Sequence, residues 1–521
     1  MSSQYYITTP IYYVTDAPHI GHLYTTVAAD IMTRYQKMLG KEVWYLTGTD
    51  EHGQKIEKKA KETNETPQAL ADRVVERYKQ AWQVYGIQYN DFIRTTEERH
   101  KKVVTSYIQR LMETGDIYLD QYEGWYCVPD ETYWTETQLV DGKCPDCKRP
   151  VEKLREESYF FKMSKYAPIL QKYIEEHPGF ILPDSRKNEV LGFLKLGVKD
   201  ISISRTTIQW GIKMPPDAKA TKEHRVYVWF DALTNYISAL GPLENDPKFK
   251  KFWPEAIHIV GKDILRFHAV YWPTFLMALG IPLPKQIVAH GWLTDSNRKI
   301  SKSLGNAIDP IALASEVGID GMRYFLFREF VFGMDGEYTK EIMYQRINSD
   351  LANDYGNCIN RLCNMIPKYM GSAAIDVTKH LAQDSELKSL CADAVTLAHK
   401  EMAAFNYGRA LESIWKIISA VNKFIENNAP WTLAKSKEEK DKTRLEMVLI
   451  HAQESLRIAS VFLVPFIPMS ATKALAFLGD TESLKDSAPM THCLAWGMGP
   501  KNPIITKGDP LFPRLELKKE A

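Results

Sequence analysis

The 521-residue chain lacks long hydrophobic runs, a surplus of one charge and a high cysteine content. Its longest apolar run, VFLVPFIPM at 461–469, contains two prolines and is too short to cross a bilayer. The N-terminal residues MSSQYYITTP lack the charged and then apolar segments of a signal peptide. These absences argue against a membrane or secreted protein, and we expect a cytoplasmic enzyme.

Positively and negatively charged residues are nearly equal in number. Lys and Arg number 66 and Asp and Glu 65, so the formal net charge is +1. The whole chain is therefore not a polycation, and any nucleic-acid site must gather basic residues on one face. Hydrophobic residues make up 45% and charged residues 25%, an ordinary globular composition. The length predicts about two to four domains.

Cysteine is too scarce for a disulfide scaffold, because the chain has only seven. Three of them cluster in sequence: Cys127, Cys144 and Cys147. The other four are scattered, and we interpret them as small, mostly buried apolar residues: Cys358, Cys363, Cys391 and Cys493.

The N-terminal pattern predicts an α/β fold. QYYITT reads as a strand broken by Pro10, and KEVWYLTGTDEHG reads as a second strand ending in a polar turn. Between them, apolar residues recur at helical spacing and Gly40 follows as a helix stop: Leu23, Val27, Ile31, Tyr35 and Met38. Strand, helix, strand is the βαβ unit of a doubly wound, Rossmann-like parallel sheet, in which ligands lie outside the carboxyl ends of the strands.

Composition divides the chain into four segments. Residues 1–115 and 226–325 read as two halves of one catalytic domain, and the Cys- and Pro-containing segment 116–225 reads as an insertion between them. Residues 326–521 are almost wholly helical, with two apolar stripes that predict a helix-bundle core. The stripes are Leu411, Ile414, Trp415, Ile418, Val421 and Ile425, and Leu449, Ala452, Leu456, Ala459 and Leu463.

A glycine-rich phosphate loop is missing. Gly48 and Gly53 have the spacing of the two P-loop glycines, but Gln54 and Lys55 follow where Lys and Ser or Thr are needed. No G-x-G-x-x-G follows the first strand either, so a dinucleotide oxidoreductase is not expected.

What stands after the first strand is His19-Ile-Gly21-His22. The two imidazoles are three residues apart at a helix start, so they share one face and could donate to a phosphate there. Gly21 would let a nucleotide approach the backbone. The alternative is a pair of structural histidines.

A second polar motif, GWLTDSNRKISKSLGN, occupies residues 291–306. Lys299 and Lys302, flanked by Ser301 and Ser303, suit a loop that closes over a polyphosphate. Alone, the motif would be read as a surface loop.

Together the two motifs resemble the paired signatures of class I aminoacyl-tRNA synthetases. The resemblance extends over nearly the whole chain to the methionyl-tRNA synthetase family, and no long editing insertion separates the halves. It is carried by PIYYVTDAPHIGH, GTDEHG, VYVWFDALTNY, GKDILRFH, KISKS, NDYGNCINR and NAPW.

The resemblance implies activation of L-methionine by Mg²⁺-ATP and transfer to the 3′-terminal ribose of tRNA(Met). Asp50 is expected to pair with the α-ammonium. The catalytic residues implied are His19, His22, Lys299 and Lys302, and Gly21, Gly291 and Ser301 join them in binding ATP. The methionine pocket implied is Ile11, Tyr13, Trp229, Ala232, Leu233, Tyr236, Ile264, Phe267 and His268. For Trp229 and Phe267 the alternative is ordinary core packing.

The cysteine cluster resembles a zinc knuckle of related enzymes. Cys144 and Cys147 form one Cys-x₂-Cys half, but the other half is Cys127-x₂-Asp130. Because Zn²⁺ accepts carboxylate oxygen, Asp130 is expected to complete one structural zinc site. A decayed site is the alternative.

In the helical segment, Asn357, Arg361 and Trp431 match family positions that read the anticodon, as aromatic and polar side chains read unstacked RNA bases. The alternative for Trp431 is a plug after Pro430. The resemblance also implies a monomer, since no C-terminal dimerisation module follows. Two other functions stay open: a non-catalytic tRNA- or RNA-binding paralogue, and a class I ligase for another apolar amino acid.

Overall fold

A computed structural model of the chain describes residues 3–516, except 131, 135, 242–244, 296–297, 301–304, 372–374, 384 and 484–488. The first part alternates strands and helices, as the sequence pattern predicts. Thr66 caps one helix, because its side chain accepts the N–H of Ala69 and Pro67 follows at the first helical position. In order the elements are β1 (Gln4–Tyr13), α1 (Ile20–Met38), β2 (Glu42–Asp50), α2 (Gln54–Glu62), α3 (Pro67–Val84), β3 (Asp91–Arg94) and α4 (Glu98–Glu113).

The middle of the chain forms a separate antiparallel sheet of four strands, in the spatial order Thr132–Trp134, Ile117–Cys127, Glu152–Phe161 and Ile201–Ser202. Two helices and one short strand of the main sheet lie between its last two strands in chain order, and two further short strands then lead back to the main sheet. The elements are β4 (Ile117–Cys127), β5 (Thr132–Trp134), β6 (Glu152–Phe161), α5 (Met163–Glu176), β7 (Ile181–Leu182), α6 (Asp184–Lys195), β8 (Ile201–Ser202), β9 (Ser204–Arg205) and β10 (Arg225–Val226).

The chain then returns to alternating helices and strands. A π-helical stretch, Phe267–Tyr271, directly precedes the third of three helices. The elements are α7 (Val228–Ser238), α8 (Pro247–Phe252), β11 (Ala256–Gly261), α9 (Trp272–Leu279) and β12 (Gln286–His290).

The main sheet has six strands in the order β3-β2-β1-β11-β12-β7. The pairings of β2 with β3, β1 with β11, β11 with β12 and β12 with β7 are parallel. Tyr6 lies opposite Ala256, and Ile257 lies opposite Gln286. The strand order reverses between β1 and β11, which is the position where such sheets form a ligand crevice. The predicted doubly wound α/β fold is confirmed.

The C-terminal part is helical, apart from three short strands and a π-helical stretch at Ile347–Gly356. Both predicted stripes are buried. The elements are β13 (Leu293–Asp295), β14 (Arg298–Lys299), α10 (Pro310–Val317), α11 (Ile319–Glu329), β15 (Gly336–Glu337), α12 (Lys340–Arg346), α13 (Asn357–Met370), α14 (Thr378–Leu381), α15 (Glu386–Ala403), α16 (Tyr407–Asn428), α17 (Pro430–Leu433), α18 (Glu439–Leu463), α19 (Pro468–Phe477) and α20 (Met490–Cys493).

The chain divides into two compact units. One comprises Met1–Ala29 and Val43–His290, and the other comprises Asp30–Glu42 and Gly291–Ala521. The four-segment division proposed from composition stays a prediction. Among the described residues, no helix combines the length and the apolar character needed to span a membrane.

A buried ion pair holds the second unit together. Arg323 of α11 has no exposed surface and contacts Asp30 of α1, which is also fully buried, at 2.8 Å. Its guanidinium also donates to the carbonyl oxygens of Phe466 at 3.0 Å and Pro465 at 2.8 Å. Asp30 in turn accepts from Arg34 at 2.7 Å. Removing one member of such a group leaves a buried charge without its counter-ion.

We therefore expect Asp30→Asn to lower the free energy of unfolding of this unit by about 3 kcal/mol, because Arg323 loses its carboxylate partner. Urea unfolding followed by circular dichroism measures the change. Asp184→Asn is the control, because its ion pair with Lys187 is on the surface and the Asp184 side chain is 78% exposed. Equal effects of the two substitutions would contradict the prediction.

Candidate functional site

Two histidines cap the N-terminus of α1. The His19 Nδ1 accepts the backbone N–H of Gly21 at 3.0 Å, and the His22 Nδ1 accepts the backbone N–H of His19 at 3.2 Å. This is the reciprocal pattern of a capping box, made here with imidazoles. The two rings stack, with centroids 3.9 Å apart. The sequence motif therefore fixes where the helix begins.

The capping also determines the tautomer of both rings. Since each Nδ1 accepts an N–H, a neutral ring carries its proton on Nε2. Each Nε2–H is then a donor at the end of β1, where the helix N-terminus favours anions. The structural and ligand-binding interpretations of His19 and His22 are therefore compatible.

The glycine between them is required by the first histidine. A Cβ built on Gly21 would lie 2.8 Å from Cε1 and 3.0 Å from Nδ1 of the His19 ring. A side chain at this position would displace the ring. The group that lies close to the Gly21 backbone is thus the His19 ring of the protein itself.

The second glycine motif is not a phosphate loop. Gly48 lies inside β2, and a Cβ there would be 2.0 Å from the carbonyl oxygen of Ile93 in β3. The glycine therefore allows two strands to approach, in agreement with the rejection of a P-loop. Asp50 is the last residue of β2 and is 3% exposed. This places its carboxylate at the carboxyl end of the sheet, where a ligand is expected.

An aromatic cluster connects α7 with the π-helical stretch. The rings of Trp229 and Phe267 stack with centroids 3.7 Å apart and an interplanar angle of 5°. The Nε1 of Trp229 is buried, and within the described part of the chain it has no hydrogen-bond partner. Single π-turns are frequent at functional sites, and this one turns the side chains of Phe267 and His268 within a helix.

His268 is held as a neutral donor and acceptor. Its Nδ1 lies 2.9 Å from the carbonyl oxygen of Ile264, so Nδ1 carries the proton. Burial lowers the pKa of His268 to about 4. The neutral Nε2 therefore accepts the O–H of Tyr236 at 2.7 Å. This pair offers fixed polarity within an otherwise apolar wall.

The predicted pocket residues lie in one region of the first unit. Leu233, Tyr236 and Phe267 belong to its hydrophobic core, and four predicted residues are half-buried against the same core: Ile11, Tyr13, Trp229 and Ile264. Ala232 and His268 are also buried. The half-buried members keep part of their surface outside the core.

Sequence reasoning missed a buried polar network beside this pocket. Asp231 of α7 contacts the Nδ1 of His52 and the Nε2 of His100, both at 2.7 Å. His52 stands in the quoted GTDEHG motif, and Asp231 in VYVWFDALTNY, so these motifs were the available signal. Nothing in the sequence singled out His100, which lies in the first turn of α4 among charged residues.

In the second unit, Lys299 ends β14 and its Nζ lies 4.8 Å from the ring centre of Trp292. Gly291 is required by a backbone crossing, because a Cβ there would be 2.1 Å from the carbonyl oxygen of Met334. Ser301 and Lys302 lie outside the described residues.

The cysteine cluster closes into a metal-sized site. One ligand atom from each of Cys127, Asp130, Cys144 and Cys147 lies within 4.8 Å of all the others. The Cys127 Sγ is 3.4 Å from both the Cys147 Sγ and an oxygen of Asp130, and the Cys144 Sγ is 3.2 Å from that oxygen.

These residues fit zinc. Zn–S bonds near 2.3 Å and Zn–O bonds near 2.1 Å give tetrahedral edges of about 3.6–3.8 Å, which fall within the observed range. Burial raises the pKa of Cys147 to about 11 and raises that of Cys127 further. A cation would displace these thiol protons on binding. The Asp130 carboxylate therefore lies where a fourth ligand would lie.

The predicted anticodon residues lie on neighbouring helices. Asn357 and Arg361 are one turn apart on α13, and Arg361 is 4.0 Å from Glu426 near the end of α16. Trp431 follows on α17 and is 40% exposed, which disfavours a buried plug. An exposed indole is suited to stacking on an RNA base.

Comparison with known proteins gives consistent matches. The family model of class I tRNA synthetases (M) matches residues 5–153 and 148–363, and the model of the anticodon-binding domain of methionyl tRNA ligase matches 376–506. Among curated relatives, the methionine–tRNA ligases of Caldanaerobacter subterraneus subsp. tengcongensis and Bacillus subtilis are 47% and 49% identical over the whole chain, which covers 80% and 79% of their lengths.

Solved structures agree. The crystal structure of Mycobacterium tuberculosis methionyl-tRNA synthetase bound by methionyl-adenylate has a TM-score of 0.89 and 37% identity, covering 98% of this chain and 100% of that one. Its free-state structure has a TM-score of 0.85 and 36% identity, covering 99% of both chains. The chain therefore belongs to the class I tRNA synthetases and, within them, to the methionine–tRNA ligase family.

The buried neutral His268 predicts a pH dependence of stability. Its folded pKa of about 4 lies below the ordinary value, so between about pH 6.5 and 4 the unfolded chain binds a proton that the folded chain does not. Stability contributed by His268 is complete above this window and is lost as the pH falls through it. The expected cost is about 2 kcal/mol between pH 7.5 and 5.

We expect His268→Asn to flatten this slope by close to one proton, as measured by urea unfolding between pH 5 and 7.5. Ile237→Val is the control, because it removes one buried methylene from the same helix as Tyr236 without changing a titratable group. An unchanged slope in the His268 variant would contradict the assignment.

Proposed function

We propose that the chain is a methionine–tRNA ligase that activates L-methionine with ATP, releases pyrophosphate, and transfers the methionyl group to the 3′-terminal ribose of tRNA(Met). The observation that carries this function is the grouping of the predicted methionine residues around one apolar core, beside a parallel sheet whose first helix is capped by His19 and His22. The curated relatives carry the same activity in their names.

Methionine is recognised at both ends. The Asp50 carboxylate pairs with the α-ammonium, and the stacked Trp229 and Phe267 contact the thioether, since sulfur–aromatic contacts contribute about 0.3–1.5 kcal/mol each. The Tyr236–His268 pair adds fixed polarity to the wall. A one-methylene mismatch in an apolar pocket costs only about 1–3 kcal/mol, so several such walls are needed for selection.

ATP is held by groups that meet its phosphates. Nε2–H groups of His19 and His22 donate to phosphate oxygens, the backbone at Gly21 and Gly291 contributes to the ATP site, and Mg²⁺ accompanies the nucleotide. Lys299 and Lys302 neutralise charge on the leaving pyrophosphate, and Ser301 joins them in binding ATP. A carboxylate oxygen of methionine attacks the α-phosphorus while the bond to pyrophosphate breaks. The ribose hydroxyl then attacks the adenylate carbonyl and AMP leaves. Positioning and charge stabilisation supply most of the catalysis in such steps.

Pyrophosphate exchange with a panel of amino acids tests this function. We expect exchange with methionine, and at least tenfold lower kcat/KM with leucine, isoleucine and valine. No exchange with any amino acid would favour the non-catalytic paralogue. Faster exchange with another apolar amino acid would favour a class I ligase for that amino acid.

In the same assay, Gly21→Ala should lower ATP-dependent exchange at least tenfold, because the new Cβ displaces the His19 ring. Gly192→Ala in α6 is the matched control, because a Cβ there meets nothing within 4 Å. If both variants exchange like the unmodified protein, His19 does not bind the phosphates.

Zinc is proposed as a structural ion held by Cys127, Asp130, Cys144 and Cys147. When bound, it would link the end of β4, which carries Cys127, to the segment before β6, which carries Cys144 and Cys147. We expect about one zinc per chain by mass spectrometry of purified protein. Asp130→Ala should weaken retention against a chelator, whereas Asp141→Ala, outside the four ligands, should not. Metal-free protein, or equal retention in both variants, would contradict the site.

Anticodon reading is proposed for Asn357, Arg361 and Trp431. We expect Trp431→Ala to raise the KM for tRNA at least tenfold and to leave pyrophosphate exchange unchanged, because base stacking contributes about 1–3 kcal/mol. Met469→Ala, another exposed apolar side chain of the same unit, is the control. An unaltered KM for tRNA in the Trp431 variant would end this assignment. The monomeric state and cytoplasmic location stay predictions.

A further inference from the structure

The carboxylate of Asp231 joins three elements of the first unit. Its side chain is 1% exposed, and its two oxygens contact His52 Nδ1 and His100 Nε2, both at 2.7 Å. His100 comes from α4, and its Nδ1 lies 2.8 Å from the hydroxyl of Ser238 at the end of α7. One carboxylate thus ties α7 both to α4 and to the turn after β2.

That turn is held from its other side as well. Glu51 has no exposed surface and accepts from Arg94 Nε at 2.6 Å and from Thr49 Oγ1 at 2.7 Å, and its backbone N–H donates to Thr95 at 3.0 Å. Glu51 is therefore anchored to β3, and His52 to α7. Asp50 directly precedes these two anchored residues, so its backbone has little freedom.

Charge favours this arrangement. Burial alone would raise the pKa of Asp231, but the two histidines outweigh it and lower the pKa to about 2. An ionised carboxylate accepts from both rings, so His52 donates from Nδ1 and His100 from Nε2. An asparagine in this place would present an N–H₂ group to one of the two donors.

The helix that carries Asp231 also carries the proposed pocket wall. Trp229, Ala232, Leu233 and Tyr236 lie within a few residues of it on α7. A displacement between α7 and the turn after β2 would therefore move Asp50 relative to the side chains that hold the thioether.

We propose that Asp231, acting through His52, is a positioning residue for recognition of the α-ammonium group of methionine. It holds Asp50 in register with the pocket wall on α7. This inference rests on the proposed function, since it concerns the same amino-acid site.

The test is pyrophosphate exchange with Asp231→Asn, His52→Leu and the double variant. We expect each single variant to raise the KM for methionine at least fivefold and to change the KM for ATP less than twofold. The double variant should be no worse than the singles, since both remove one interaction. His52→Asn should recover most of the loss, because its amide N–H replaces the Nδ1 donor.

A ligand without the amino group separates positioning from a general structural role. For 4-(methylthio)butanoate, the inhibition constant should change less than twofold in Asp231→Asn, while methionine binding weakens at least fivefold. Parallel weakening of both ligands, or a KM for methionine within twofold of the unmodified protein, would overturn the proposal.

Asp480→Asn is the stability control, because Asp480 is a fully buried partner of Arg457 in the other unit. It should lower the melting temperature and leave the KM for methionine unchanged. A raised KM for methionine in this control would assign the Asp231 effect to lost stability and overturn the proposal. Absence of exchange in the unmodified protein would instead contradict the methionine–tRNA ligase function, so the two failures are distinguishable.

Discussion

The position of β1 at the interior of the parallel sheet is the constraint on which the rest of the site depends. Thr8 lies 2.8 Å from the His258 Nδ1 of β11, and Thr9 donates to Thr47 of β2 at 2.8 Å. Adjacent threonines thus bind the two neighbouring strands, one on each side of β1. Because β1 is paired on both sides, the position of its carboxyl end is fixed. The start of the histidine-capped helix that follows it is thereby fixed as well.

Much of this could be predicted from the sequence because the signals are local. Each of these signals lies within a short stretch of chain: the βαβ pattern, the helical stripes and the His19–His22 spacing. In the structure the first is formed as predicted, the stripes are buried, and the two histidines cap a helix. The spacing of the four proposed zinc ligands is also a local signal, although a carboxylate in place of a cysteine kept a decayed site as the alternative. In the structure Asp130 lies beside the sulfur atoms.

Other features depend on residues that meet only in the folded chain. Asp231 reaches His52 and His100 across 179 and 131 residues, so no local pattern could pair them. The reason for Gly21 was likewise hidden, since the ring that excludes a Cβ belongs to a histidine whose orientation depends on backbone hydrogen bonds. The alternatives for the two histidines proved compatible because an imidazole has two nitrogens, and capping uses only one.

The pairing of β1 with β11 also has a consequence for synthesis of the chain. Between Tyr13 and Ala256 the ribosome adds about 240 residues, which takes about 12–50 s at about 5–20 residues per second. During that time QYYITTPIYY, a strand without a charged residue, has no partner on one edge. Unpaired strand edges are templates for pairing with other strands, so this edge stays open to wrong pairing until β11 has been made.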